Sequence, residues 1–154
     1  MKGIRRQILM RTIGALGLTA AVAAGADARS TMGYNAFRPW QSPAAQDCVY
    51  EDFGGARNDC PDDKTLVFET VVDNAGWHWI QAVSLGNGRP FDCYAQSYAQ
   101  AAYTQDTGKG RQAFNGTGGQ LLTFWANVNP GGTLRLVCEN VPFGEGILSL
   151  NWNP

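Results

Sequence analysis

The run "LLTFWANVNPGGTLRLVCEN", residues 121–140, holds two stretches of alternating apolar and polar residues around a turn cluster. Successive side chains of a strand point to opposite faces, so a period of two marks a sheet with one face on a core. Leu122, Phe124, Ala126 and Val128 fall on one side of the first stretch, against Leu121, Thr123, Trp125 and Asn127 on the other. The second stretch groups Leu134, Leu136 and Cys138 against Thr133, Arg135 and Glu139. Between them, Asn129-Pro130-Gly131-Gly132 supplies the preset and positive φ values of a tight reversal, and the pair reads as a hairpin.

The same texture recurs outward along the chain. "TLVFETVVD" (65–73), "WHWIQAVSL" (77–85), "FDCYAQSY" (91–98) and "ILSLNW" (147–152) are strand-like, and "DNAG", "GNGRP" and "PFGEG" separate them. Helical periodicity is nearly absent, so the expected fold is all-β, a single antiparallel β-sandwich. In 77–85 the odd positions Trp77, Trp79, Gln81, Val83 and Leu85 form the heavier face and are expected inward, which turns His78 outward. Residues 94–106, "YAQSYAQAAYTQD", read as a strand decaying into an irregular loop, and 106–120 as a mobile Gly-rich connection. Residues 29–46 are expected to be a leader with an edge strand through 34–37, ahead of a sandwich domain over 47–154.

Residues 1–28 have the layout of a secretory signal peptide. Lys2, Arg5, Arg6 and Arg11 precede an apolar run over 12–24, too short to span a bilayer, and then small-residue cleavage sites ending at Ala26 and Ala28. Arg5-Arg6 lacks the flanking residues of twin-arginine export, which favours general secretion. Of 12 basic and 13 acidic residues, removing those four basic ones and Asp27 leaves 8 against 12, a net charge of −4. An acidic chain without a basic cluster is not built for nucleic acid, and the mature part has no membrane span.

All four cysteines, Cys48, Cys60, Cys93 and Cys138, follow the signal. An even count in an exported chain reads as two disulfides. Three connectivities exist; Cys48–Cys60 as a local clamp and Cys93–Cys138 as a long-range staple is the expected one. Zinc is excluded by the lack of any Cys-x-x-Cys pair and the single histidine, and no other metal or cofactor is expected. Glu51, Asp52, Asp59, Asp62 and Asp63 crowd the Cys48–Cys60 loop without matching a calcium loop, so they read as a solvated acidic surface.

No catalytic residues emerge. His78 has no Gly-x-Ser-x-Gly nucleophile elbow beside it, and bridged cysteines offer no thiolate. The ligand-binding candidates are the outward residues Trp125, Asn127 and Arg135 with Tyr94 and Tyr98, an aromatic platform flanked by amide and guanidinium donors. "NGT" at 115–117 reads as turn chemistry.

The cysteine layout, with "CPDD", "FDCYAQS" and "LRLVCENVPFGEGILSLNW", resembles that of small exported four-cysteine proteins frequent in myxobacteria and related Gram-negative bacteria. The resemblance implies a secreted β-sandwich and brings no established activity with it. Together these features predict a secreted or periplasmic, non-enzymatic binding or surface module, with carbohydrate or the cell envelope as ligand. The alternatives are a small inhibitor-like or toxin-like module acting on another secreted protein and, behind it, a secreted hydrolase.

Overall fold

The computed structural model describes residues 28–39, 42, 44, 45, 47–99, 104–107 and 110–153. The signal expected over 1–28 lies, except for Ala28, outside the described residues. Among the described residues, strands β1 (Arg29–Met32), β2 (Val49–Asp52), β3 (Gly55–Asn58), β5 (Gly76–Leu85), β9 (Leu121–Val128) and β11 (Gly146–Trp152) form one antiparallel sheet. Strands β4 (Lys64–Thr70), β6 (Phe91–Ala99), β7 (Thr104–Thr107), β8 (Gln112–Phe114) and β10 (Thr133–Val141) form the other. The chain is the β-sandwich that its alternation predicts.

The first sheet runs β2-β3-β11-β5-β9, and β1 shares one edge of β11 with β3. The second runs β4-β10-β6, with β8 and β7 in succession along the outer edge of β6. From β3 to β6, and again from β8 to β11, each strand lies in the sheet opposite its predecessor. That interleaving is the order of a jelly roll.

The opening stretch is therefore not a hairpin. β9 pairs with β5, whereas β10 lies in the other sheet between β4 and β6. The Asn129–Gly132 turn is tight, with the Gly132 N–H donating to the Asn129 carbonyl at 2.8 Å and Gly131 at φ 73°. It carries the chain across the core instead of reversing it within a sheet. Alternation says that each strand buries one face, and two facing strands satisfy it as well as two paired ones.

The inward parity expected for β5 is also reversed. His78, Ile80, Ala82 and Ser84 are buried, while Trp77 is 53% exposed and Trp79 half-buried. The core takes its bulk from Phe68, Phe91, Phe114 and Phe124, all within 3% of full burial. Phe114 lies between Phe91 and Phe124, with ring centroids 5.1 and 6.1 Å away. With that bulk supplied elsewhere, β5 contributes Ile80 and the short Ala82 and Ser84, and its heavier side chains stand outside.

Both expected disulfides are present. Cys93 and Cys138 are direct cross-strand partners on β6 and β10, fully buried. Cys48–Cys60 closes the open end of the β2–β3 hairpin, whose two-residue turn, Phe53-Gly54, has φ of 50° and 84°. A positive φ at both positions is the type I′ geometry that suits the strand twist.

The leader supplies its edge strand at β1, earlier than 34–37, which instead hold a helical turn, α1 (Gly33–Ala36). A side chain at Gly33 would run into the Ile147 carbonyl, so the chain passes over β11 only because Gly33 has none. Phe37 then bridges to Phe68 on β4, and the Arg38 N–H donates to the Val67 carbonyl at 2.9 Å. Of the stretch expected to decay into an irregular loop, β6 runs to Ala99 and β7 begins at Thr104, and the Gly-rich connection carries the three-residue strand β8. No helix among the described residues is long and apolar enough to cross a membrane.

Candidate functional site

Reversing β5 brings three tryptophans onto one surface. β5 pairs with β9 so that Trp79 stands opposite Trp125 and Trp77 opposite Asn127. Directly paired residues share a face, with Cβ atoms about 5 Å apart. Trp125 is 43% exposed, so this face presents Trp77, Trp79 and Trp125 to solvent as one patch. Parity within "WHWIQAVSL" alone misses it; pairing that run in register with "LLTFWANV" exposes it, because Trp79 must share the face of Trp125.

The neighbouring row is polar. Gln81 pairs with Thr123 on one side and with Asn151 on the other, and Asn151 pairs with Ser30 of β1. The Gln81 amide donates from Nε2 to Thr123 Oγ1 at 3.2 Å, leaving the amide oxygen and the threonine hydroxyl proton for a ligand. Asn153 accepts the Trp79 N–H on its Oδ1 at 2.6 Å, beside the tryptophans. The next row, Met32, Ser149, Val83 and Leu121, is mostly apolar.

Beneath the platform His78 is buried, with Nε2 2.8 Å from the Asn74 carbonyl and Nδ1 3.1 Å from that of Asn153. It ties the β4–β5 turn to the end of β11, a tethering role, with both ring nitrogens engaged by main chain.

The other sequence candidates lie on the outer face of the second sheet, away from Trp125 and Asn127. Arg135 is only 8% exposed: its guanidinium donates from Nε and Nη2 to Glu69 Oε2, both at 2.8 Å, and stacks 3.5 Å from the Tyr98 ring centroid. Tyr94 donates its hydroxyl to Glu139 at 3.1 Å and lies under Arg111, which itself pairs with Glu139 at 2.6 Å. Burial, and secondarily the Glu139 carboxylate, raise the Tyr94 pKa. Outward parity was right for these residues, but the two sheets have two outsides. The single surface inferred from sequence is thus split, and its second half is spent on internal ion pairs.

In the acidic loop Asp52, Asp59 and Asp62 are paired locally. Arg57 binds Asp52 and Asp59, and Lys64 binds Asp62 at 2.8 Å. The hydrogen bond from Arg57 holds the Asp59 carboxyl below its usual range, as Lys64 does for Asp62. Among the described residues no group of three or more histidine, cysteine or acidic side chains could hold a metal ion. Asn115 accepts the Thr117 N–H at 2.8 Å, a turn bond.

At the same end of the sandwich Glu145 is fully buried and accepts the N–H groups of Asn87 and Arg89 on Oε1, at 2.8 and 3.0 Å. It pins the β5–β6 connection to the β10–β11 loop, and a side chain at Gly86 would fall on its other oxygen.

No family model and no curated protein matches the sequence. A solved structure described as "CBM4 structure and function" matches with a TM-score of 0.38 and 10% identity over 83% of each chain. A β-glucosidase from Paenibacillus barengoltzii matches with a TM-score of 0.34 and 15% identity, over 64% of this chain and 10% of that one. Likeness at this level carries no functional weight, and the tryptophan face stands on its own residues.

Proposed function

We propose that this protein is an exported, non-enzymatic carbohydrate-binding module that uses the outer face of β5 and β9. The observation that carries the reading is Trp77, Trp79 and Trp125 together on one solvent-facing patch beside amide and hydroxyl side chains. Pyranose rings have an apolar C–H face and a hydroxyl rim, which suits flat aromatic rings flanked by such groups. Aromatic enrichment with few charges is also what distinguishes the centre of a binding patch from ordinary surface. Two disulfides fit an oxidising compartment, where glycans of the envelope or surroundings are at hand.

Retention on insoluble polysaccharides and cell-wall preparations tests this directly. The wild type is expected to be retained on at least one polymer, and Trp125→Ala to weaken retention tenfold or more, about 1.4 kcal/mol, with Tm barely changed. Lack of retention on every polymer refutes the reading.

A further inference from the structure

We infer that the ligand is an uncharged, extended glycan chain lying across the strands, from β9 over β5 to β11, with Asn151 contacting its far end. This inference rests on the carbohydrate reading above and adds the charge, the length and the direction of the ligand.

The charge comes from the composition of the face. Its rows are Trp77–Asn127, Trp79–Trp125, Asn151–Gln81–Thr123 with Ser30, and Ser149–Val83–Leu121 with Met32. Among these described residues none is ionisable, although the chain carries 12 basic and 13 acidic residues. Arg29 of β1 pairs with the inward Trp152, outside these rows, and its guanidinium is bound to Asp73 at 2.9 and 3.0 Å. The outer face of the second sheet is the opposite, built on Glu69, Arg135, Arg111 and Glu139. The next row of the tryptophan face, Leu85–Gly146–Arg57, holds a cation, but Arg57 is bound to Asp52 and Asp59. A polyuronide or a peptide-substituted wall polymer would therefore bring carboxylates to rows with no cation to receive them, at a desolvation cost.

The direction comes from the order of the rows. Along β5 the surface changes from Trp77 and Trp79 to Gln81 and then to Val83, so a chain lying along the strand leaves its polar partners after one row. Across the strands, each stripe keeps its character: tryptophan and Asn153 in one, Thr123, Gln81, Asn151 and Ser30 in the next. A glycan laid this way keeps ring faces on the first stripe and hydroxyls on the second. Adjacent strands lie about 4.8 Å apart, so the four-strand polar stripe extends about 14 Å, more than a single sugar occupies. The Asn151 side chain is half-exposed and makes no hydrogen bond among the described residues, so its amide is open to such a ligand.

Calorimetric titration with oligosaccharides of increasing length, cut from whichever neutral polymer is retained, tests the inference, with a polyuronide in parallel. Affinity is expected to rise with chain length before levelling off and to be insensitive to salt. Asn151→Ala should weaken the longer oligomers several-fold and leave the shortest unaffected, with unchanged Tm. A monosaccharide binding as tightly as the polymer overturns the extended site, and preference for the polyuronide with loss at high salt overturns neutrality. Both results leave the carbohydrate reading standing. Failure to bind any glycan, neutral or charged, removes that reading and this one with it.

Discussion

Replacing Arg135 by alanine separates the two outer faces of the sandwich. If its guanidinium belongs to the framework, the loss falls on stability. The side chain is almost wholly buried, both short bonds go to one Glu69 oxygen, and the Tyr98 ring covers it. Removing one member of a buried pair costs about 3–5 kcal/mol. Glu69 keeps some solvent contact and a second arginine, Arg38, 4.0 Å away, which softens that loss. The lost stacking on Tyr98 adds about 1 kcal/mol. The expected cost is about 2–4 kcal/mol, a large share of the roughly 5–15 kcal/mol that holds a domain of this size together. Arg135→Lys keeps the charge but not the planar fork and should fall between. Urea denaturation with a fixed m-value reads the loss as a shifted midpoint. The same folded variant, assayed for polysaccharide retention at low temperature, should bind like the wild type. An unchanged urea midpoint with abolished binding would refute the division of the two faces and restore Arg135 to the binding site.

Replacing each disulfide by an alanine pair should destabilise unequally. Loop-closure entropy gives about 4 kcal/mol for the 45-residue separation of Cys93–Cys138 and about 3 kcal/mol for the 12 residues of Cys48–Cys60. Cys93 and Cys138 also leave a void in the core, so urea midpoints in the reverse order would contradict this placement. Because the Arg57 hydrogen bond lowers the Asp59 pKa in the folded state, its contribution is full above the unfolded value near 4. It disappears as pH falls through the lower folded value, and Asp59→Asn should flatten that part of the acid limb in urea midpoints measured against pH. An acid limb identical to that of the wild type would show that the pair adds nothing.

The sandwich was legible because alternation and turn residues are local properties; the cysteine pairing was one of three that the sequence allows, and the expected local clamp and long-range staple are the ones present. What local pattern does not carry is which strand lies beside which. The residues 121–140 predict two half-buried strands correctly, yet the Asn129–Gly132 turn leads into the facing sheet and not back along the same one. The same gap hid the tryptophan face. Trp77 and Trp79 outweigh Ile80 and Ala82, so bulk alone points them inward; only the register with Trp125, and a core already filled by Phe114 and Phe124, turns them out. Arg135, Tyr94 and Tyr98 were correctly read as outward, but belong to the outside of the other sheet.

β11 sits inside the first sheet, with β5 on one side and β1 and β3 on the other. Without residues 146–152, β5–β9 and the β2–β3 hairpin have no common partner, and Leu150 and Trp152 are missing from the core. Such a topology rests the first sheet on pairings between segments far apart in sequence, which are slow to form.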